Sequence, residues 1–132
     1  QNLPVFIAVI DNGDTLRVFP LEGKGLGGPI WGYISLKADM STIAGVTFDH
    51  KGETPGLGAE INTTGFESQF LDKALFEDGR FISVSVVKGG AMKGNRHQVD
   101  AISGGTITSK ALEAMMHDGL VKYDKYLREN RK

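Results

Sequence analysis

The sequence contains no cysteine, no long apolar run and no strong charge of one sign. Without thiols, disulfide bonds, cysteine-type zinc sites, iron–sulfur ligation and thiol catalysis are excluded. No run approaches the roughly 18 apolar residues of a membrane span. The formal net charge of −1 provides no basic field for nucleic acid or an anionic membrane. Hydrophobic residues make up 40% and charged residues 23%, which is typical of a soluble globular domain.

The histidines offer no pattern of metal ligation. His50, His97 and His117 are far apart, and no pair has helical ligand spacing. No spacing suggests a Ser-His-Asp arrangement or an acid/base pair of carboxylates. We therefore nominate no metal-binding residue and no catalytic residue.

The length of 132 residues fits one domain, which we take as residues 1–132. The chain starts abruptly at Gln1, without an initiator Met and only a few residues before a strand-like run. This start indicates a processed or trimmed protein from which an N-terminal anchor is missing.

Apolar alternation predicts a mostly antiparallel sheet. Asn12-Gly13 is a strong hairpin signal between two β-type runs. The predicted strands are residues 5–10, 15–19, 30–37, 43–49 and 81–87. Helical spacing of apolar residues predicts helices over 64–75 and 109–128, the second capped by Thr108 or Ser109. The pattern therefore predicts a single α+β domain with a C-terminal helix and one further helix.

Glycine is abundant, at 18 residues, and is clustered in residues 23–28, 52–58, 89–94 and 104–105. Glycine lets the backbone bend sharply or lie close against a ligand because it has no Cβ. The clusters are consistent with loops that converge on a ligand and equally with ordinary tight turns.

The segment 100–109 feeds the N-terminus of the last predicted helix, where free amides and the helix dipole favour an anion. Gly104 and Gly105 allow close approach of the backbone to a phosphate, and neighbouring hydroxyls add donors. Asp100 would repel a phosphate, so it would bind a metal or set the loop conformation. The segment lacks the lysine of a Walker A loop. It is typical of a phosphate site and equally of a glycine-rich turn before a capped helix.

This segment resembles a flavinylation motif. Residues Asp100–Thr106 read D-x-x-S-G-G-T, beside the motif D-x-x-(S/T)-G-A-T. Gly23–Leu26, Gly52–Gly58 and Val87–Gly90 are similar to successive segments of the C subunit of the sodium-translocating NADH:quinone oxidoreductase. The G subunit of the Rnf electron-transport complex is related to it. The resemblance covers roughly residues 20–112, and the run Gly-Glu-Thr-Pro-Gly-Leu-Gly is specific.

The resemblance implies FMN attached covalently to Thr106 by a flavin transferase, through a phosphoester. Thr108 is the second-choice acceptor. Gly105 stands where the motif has Ala, which loosens the loop but leaves the acceptor hydroxyl in place. Attachment is therefore expected to survive, and the looser loop is a reason for it to be less efficient.

The resemblance also implies a pocket for the flavin ring. Leu26 and Leu57 would enclose the ring, Glu53 and Thr54 would bond the ribityl chain or ring edge, and Lys88 would neutralise anionic charge. The full set of nominated cofactor-binding residues is Thr106, Ser103, Gly104, Gly105, Thr108, Asp100, Leu26, Glu53, Thr54, Gly56, Leu57, Gly58 and Lys88.

The implied function is that of a one-electron carrier, an FMN-binding domain that works within a membrane sodium-pumping NADH:quinone oxidoreductase and has no complete activity alone. Its implied partners are the other subunits and the transferase. The implied location is the periplasmic side of a bacterial inner membrane, reached through the missing N-terminal helix. The alternatives are an FMN module of an Rnf-type complex and a binding domain with a decayed motif and no flavin.

Overall fold

A four-stranded antiparallel sheet forms the first half of the molecule. The computed structural model describes residues 3–131, so Gln1, Asn2 and Lys132, including the start used to predict an anchor, lie outside the described part. The sheet has the order β1-β2-β3-β4, and each strand pairs with its sequence neighbour. Its strands are β1 Phe6–Val9, β2 Thr15–Lys24, β3 Pro29–Leu36 and β4 Ile43–His50.

One face of this sheet forms the core, as the alternation in β3 shows. Ile30 and Ile34 are fully buried, whereas Trp31 and Tyr33 point to the opposite, exposed face. Side chains of successive strand residues point to opposite faces, so strict alternation buries every second one. The buried face packs against helices from the second half of the chain.

The segment after β4 contains short helical turns rather than the helix predicted over 64–75. It comprises a 3-10 turn at Gly58–Asn62, helix α1 at Thr64–Glu67 and a 3-10 turn at Ser68–Phe70. The prediction was wrong beyond Phe70. Asp72 adopts a positive φ of 64°, and its amide donates to the Ile43 carbonyl at 2.9 Å. Pairing with the start of β4 therefore ends the helical turn.

The strand predicted over 81–87 is divided in two. Strand β5 (Phe76–Glu77) pairs with β6 (Arg80–Phe81) in a small hairpin, and β7 (Ser85–Val87) pairs in parallel with β8 (Gln98–Asp100). Ser83 has a φ of 62°, and the amides of Ile82 and Ser83 both donate to the Leu75 carbonyl. This turn breaks the strand although the apolar alternation continues through it.

The C-terminal helix begins earlier than predicted and is interrupted. Helix α2 is Thr106–Val121 and helix α3 is Asp124–Glu129. The N-cap is Gly105 rather than Thr108 or Ser109. These two side chains instead bond elsewhere in the fold, as described below.

Helix α2 lies directly over β2 because two glycines allow close approach. A Cβ on Gly23 would lie 2.9 Å from the Met115 Cβ, and a Cβ on Gly119 would lie 2.8 Å from Leu21 Cδ2. This packing fixes the N-terminus of α2 beside the loop that follows β2.

The predicted fold class is confirmed: a single α+β domain with a mostly antiparallel sheet and a helical C-terminus. The β7–β8 pair is the parallel exception. Among residues 3–131, no helix combines the length and the apolarity that crossing a membrane requires.

Candidate functional site

A cleft of about 310 Å³ lies at the N-terminus of α2. Three loops meet there: the one after β2, the one after β4 and the one before α2. The residues that line the cleft are Leu26, Gly27, Glu53, Thr54, Leu57, Gly58, Gly104, Gly105, Thr106, Ile107 and Thr108.

The first turn of α2 supplies amide donors to this cleft. The first helical bond runs from the Ser109 amide to the Gly105 carbonyl, at 2.9 Å. The amides of Thr106, Ile107 and Thr108 precede that bond and therefore have no partner within the helix. Together with the helix dipole they favour an anion at this end.

Three hydroxyl groups lie in this turn, and two of them have internal partners. The Thr108 hydroxyl donates to Glu53 Oε1 at 2.5 Å. Ser109 Oγ accepts from the Ile102 amide at 3.1 Å, which anchors the loop before the helix. Thr106, the first residue of α2, is half-buried and lines the cleft.

The Glu53 carboxylate joins the loops after β2 and β4 to the first turn of α2. Only 4% of this residue is exposed. Besides Thr108, it accepts hydrogen bonds from the amides of Leu26, at 3.1 Å, and Gly27, at 2.6 Å. Burial raises the pKa of Glu53, but these hydrogen bonds outweigh burial and hold the pKa below its ordinary value. Glu53 is therefore an ionised, fully bonded anchor.

Glycine is required where the first two loops touch. A Cβ on Gly27 would collide with the Gly52 carbonyl, and a Cβ on Gly25 would lie 2.7 Å from Glu53 Oε1. The backbone can therefore reach the buried carboxylate only because these positions lack a side chain.

The rim of the cleft is apolar and open. Leu26, Leu57 and Ile107 are exposed by 65%, 42% and 61% respectively. Gly104 has a φ of 75°, and a Cβ there would lie 2.6 Å from Leu57 Cδ2. The cleft thus combines amide donors at its base with aliphatic walls, which suits a ligand with an anionic end and a flat apolar body.

The family model described as FMN-binding domain matches residues 25–121. The chain belongs to the FMN-binding domain family. The match begins at the loop that contains Leu26 and includes the whole of α2, so it spans all three loops of the cleft.

Known proteins of this family are similar over most of the chain. The C subunit of the Na(+)-translocating NADH-quinone reductase is 36% identical over 81% of the chain in Vibrio vulnificus and 36% identical over 90% in Pseudomonas aeruginosa. The chain spans 43% and 47% of these two relatives, less than half of their length.

Two crystal structures share the fold. The C subunit of the same reductase from Parabacteroides distasonis is 48% identical, with a TM-score of 0.89 over 95% of this chain and 62% of its own. NqrC of Shewanella oneidensis is 35% identical, with a TM-score of 0.84 over 96% of this chain and 61% of its own.

The structure brings most of the nominated residues of this FMN-binding domain together and leaves four outside the cleft lining. The nominated residues that line the cleft are Leu26, Glu53, Thr54, Leu57, Gly58, Gly104, Gly105, Thr106 and Thr108. Gly56 and Ser103 are exposed in loops that border the cleft, whereas Asp100 and Lys88 are exposed and absent from the cleft lining.

Asp100 shapes a neighbouring loop rather than the cleft. Its Oδ1 accepts from the Ala91 amide at 2.6 Å, and its backbone amide donates to Gln69 Oε1 at 2.8 Å. Of the two roles expected for this carboxylate, the contacts support setting a loop conformation. Lys88 is exposed at the start of the same loop and does not line the cleft. The structure therefore gives no contact that supports a role for Lys88 in binding the cofactor.

Sequence reasoning missed two lining residues and the bonding of a third. Gly27 belongs to a glycine cluster of the sequence, but its approach to Gly52 requires the paired loops to be known. Ile107 lies between the two threonines, and its outward position follows from a helix that starts at Thr106. Glu53 is expected from the resemblance to bond the cofactor, but its carboxylate is occupied by protein donors.

Proposed function

We propose that this domain carries FMN through a phosphoester to the Thr106 hydroxyl and serves as a one-electron carrier. The observation that carries the proposal is the position of Thr106. It is the first residue of α2, it lines the cleft, and the other two hydroxyls of the turn are buried and bonded within the fold.

The residues present fit the phosphate end of FMN. Amides of the first turn of α2 belong to residues that line the cleft, and a helix N-terminus stabilises an anion. Gly104 and Gly105 line the cleft without side chains, so the backbone can approach a phosphate closely. The Glu53 carboxylate is held by three neutral donors of the protein, which stabilise its charge in place.

The residues present also fit the ring. Leu26, Leu57 and Ile107 offer aliphatic surface that would exclude water from one side of a flat aromatic body. Thr54 lines the same cleft and supplies a hydroxyl for the polar chain or ring edge. When bound, FMN supplies reversible electron transfer, and the protein supplies retention and environment. A covalent tether retains the flavin whatever its redox state, which suits a carrier of single electrons.

The domain is proposed to work within a sodium-translocating NADH:quinone reductase. The relatives described above are named as the C subunit of that enzyme, which favours this complex over an Rnf-type complex. The other subunits are then its redox partners, and a flavin transferase matures it. We place the domain on the periplasmic side of the inner membrane, held by an N-terminal helix, and expect no NADH oxidation by the domain alone.

Mass spectrometry of the denatured protein tests the attachment. The chain is co-expressed with a flavin transferase, beside Thr106→Ala and, as a control threonine that is exposed on β4 and absent from the cleft lining, Thr47→Ala. We expect a gain of one FMN less one water in the unaltered chain and in Thr47→Ala, and no gain in Thr106→Ala. A chain that gains no mass would contradict the proposal and favour a domain without flavin.

A further inference from the structure

We propose that Glu53 selects the flavin acceptor: it is a positioning residue that holds the Thr108 hydroxyl inside the fold and leaves Thr106 as the acceptor. This inference rests on the proposed function, because it concerns which of two neighbouring threonines is modified. Both residues lie in the first turn of α2 and both line the same cleft. Proximity to the cleft therefore does not distinguish them.

Burial and bonding do distinguish the two threonines. Thr108 is 3% exposed, and its hydroxyl donates to the Glu53 carboxylate at 2.5 Å. A hydrogen bond to an ionised acceptor is stronger than one between neutral groups. Thr106 is half-buried, so its side chain keeps a path to the cleft.

Glu53 is itself held rigidly in place. Its two oxygens accept from the amides of Leu26 and Gly27, and its own amide donates to His50 Nδ1 at 3.2 Å. A Cβ on Gly58 would collide with the Thr108 hydroxyl, so the glycine lets the loop close over this pair. The hydrogen bond that holds Thr108 is therefore supported by the loops after β2 and β4 rather than by one flexible side chain.

The covalent step shows why the hydrogen bond between Thr108 and Glu53 matters. A flavin–nucleoside dinucleotide donor reacts at one threonine oxygen: a bond forms between that oxygen and the flavin-side phosphorus, the P–O bond of the pyrophosphate bridge breaks, and the nucleoside monophosphate leaves with the electron pair. The hydroxyl proton passes to a base of the transferase. At Thr108 this step would first require loss of the bond to Glu53 and exposure of a buried oxygen. Glu53 bonds Thr108 and is not itself modified in this step, so its role is to position that residue.

The test compares labelling in four proteins treated with a flavin transferase and a flavin–nucleoside dinucleotide: the unaltered chain, Thr106→Ala, Glu53→Gln and the double variant. Trypsin cleaves after Arg96 and Lys110, so both threonines fall in the peptide 97–110. Fragmentation of that peptide locates the flavin. Thermal unfolding of each apo protein reports whether it is folded.

We expect Thr106→Ala to be unlabelled and the double variant to carry flavin on Thr108, at least tenfold above Thr106→Ala. Efficient labelling of Thr108 in Thr106→Ala would overturn the inference, as would a folded double variant without label. An unlabelled unaltered chain would instead overturn the proposed function, so the two failures are distinguishable.

A measurement on the unaltered apo protein tests the inference even if one of the variants does not fold. Hydroxyl-proton exchange by NMR should be at least tenfold slower at Thr108 than at Thr106, because only the Thr108 proton is buried and bonded to Glu53. Equal exchange at the two hydroxyls would overturn the inference without any substitution or flavin.

Discussion

Gly104 and Leu57 face each other so closely that a Cβ on Gly104 would lie 2.6 Å from Leu57 Cδ2. Gly104 also has a φ of 75°, which costs a residue with a side chain about 1–2 kcal/mol. Gly104→Ala should therefore lower the free energy of unfolding, displace Leu57 and reduce flavin loading. Urea unfolding and the flavin-to-protein absorbance ratio measure the two effects.

A matched control for this substitution exists in the first hairpin. Gly13 has a φ of 87°, but a Cβ there would meet nothing within 4 Å. Gly13→Ala should cost comparable stability and leave loading unchanged. Equal loading of the two variants would show that contact with Leu57 does not shape the cleft.

Gly105 should behave differently from its neighbour. Its φ of −119° suits any residue, and a Cβ would lie 3.1 Å from Ile102 Cγ2 and 3.2 Å from the Gly58 amide nitrogen. Alanine is also a poorer N-cap than glycine, so Gly105→Ala should cost about 1 kcal/mol of unfolding free energy. Loading should persist, since neither the acceptor nor its helix is removed. A loss of loading as large as that of Gly104→Ala would contradict this expectation.

Glu53 should make stability depend on pH in acid. Its pKa in the folded state is held below the ordinary glutamate value, so it stabilises the protein fully above that value, about 4.3 in unfolded chains. As the pH falls through the folded-state pKa, the native state gains a proton and this contribution is lost. Urea unfolding from about pH 7 to about pH 3 should therefore show a steeper loss in the unaltered chain than in Glu53→Gln.

The comparison with Glu53→Gln is needed because Asp39 titrates in the same direction. Burial raises the pKa of Asp39, but hydrogen bonds from Thr42 and Ser41 outweigh it and leave the pKa lowered. Asp39 contributes to both curves, so their difference reports Glu53. Parallel curves over the whole range would contradict the role of Glu53 as an ionised anchor.

Leu26 should affect the flavin more than the fold. Its side chain is 65% exposed on the cleft rim, so Leu26→Ala should change the free energy of unfolding by less than about 0.5 kcal/mol. Loss of this wall should increase quenching of flavin fluorescence by iodide. Met92→Ala, at a residue that is 70% exposed and absent from the cleft lining, serves as the control. Identical quenching in the two variants would remove Leu26 from the flavin environment.

The sequence predicted the four-stranded sheet well because apolar alternation and turn residues are patterns of neighbouring residues. Asn12-Gly13 forms the hairpin as predicted, β2 and β4 extend beyond the predicted runs, and β3 is shifted by one residue towards the N-terminus. The prediction of one strand over 81–87 was wrong because the backbone turns at Ser83, whose φ is positive and whose amide donates to the Leu75 carbonyl. Apolar alternation within the run carries no information about that bond.

The sequence predicted the parts of the site that lie in a recognisable motif or a glycine-rich loop. It did not predict the roles that depend on tertiary hydrogen bonds. The loops of Leu26, Leu57 and Thr106 do meet in one cleft. The bonding of Glu53 to Gly27 and Thr108 and the bonding of the Asp100 amide to Gln69 depend on contacts between residues far apart in sequence. Such contacts leave no local pattern, so the resemblance led to the nomination of both as cofactor-binding residues.

The location of the flavin within peptide 97–110 tests the assignment of Thr106 most directly, because this peptide contains Ser103, Thr106, Thr108 and Ser109 as the available hydroxyls. The protein is loaded by a flavin transferase, denatured, digested with trypsin and fragmented in the mass spectrometer. We predict FMN on Thr106 alone, as a phosphoester. Flavin on another of these residues would contradict the assignment. So would a peptide 97–110 without flavin after complete treatment with an active transferase.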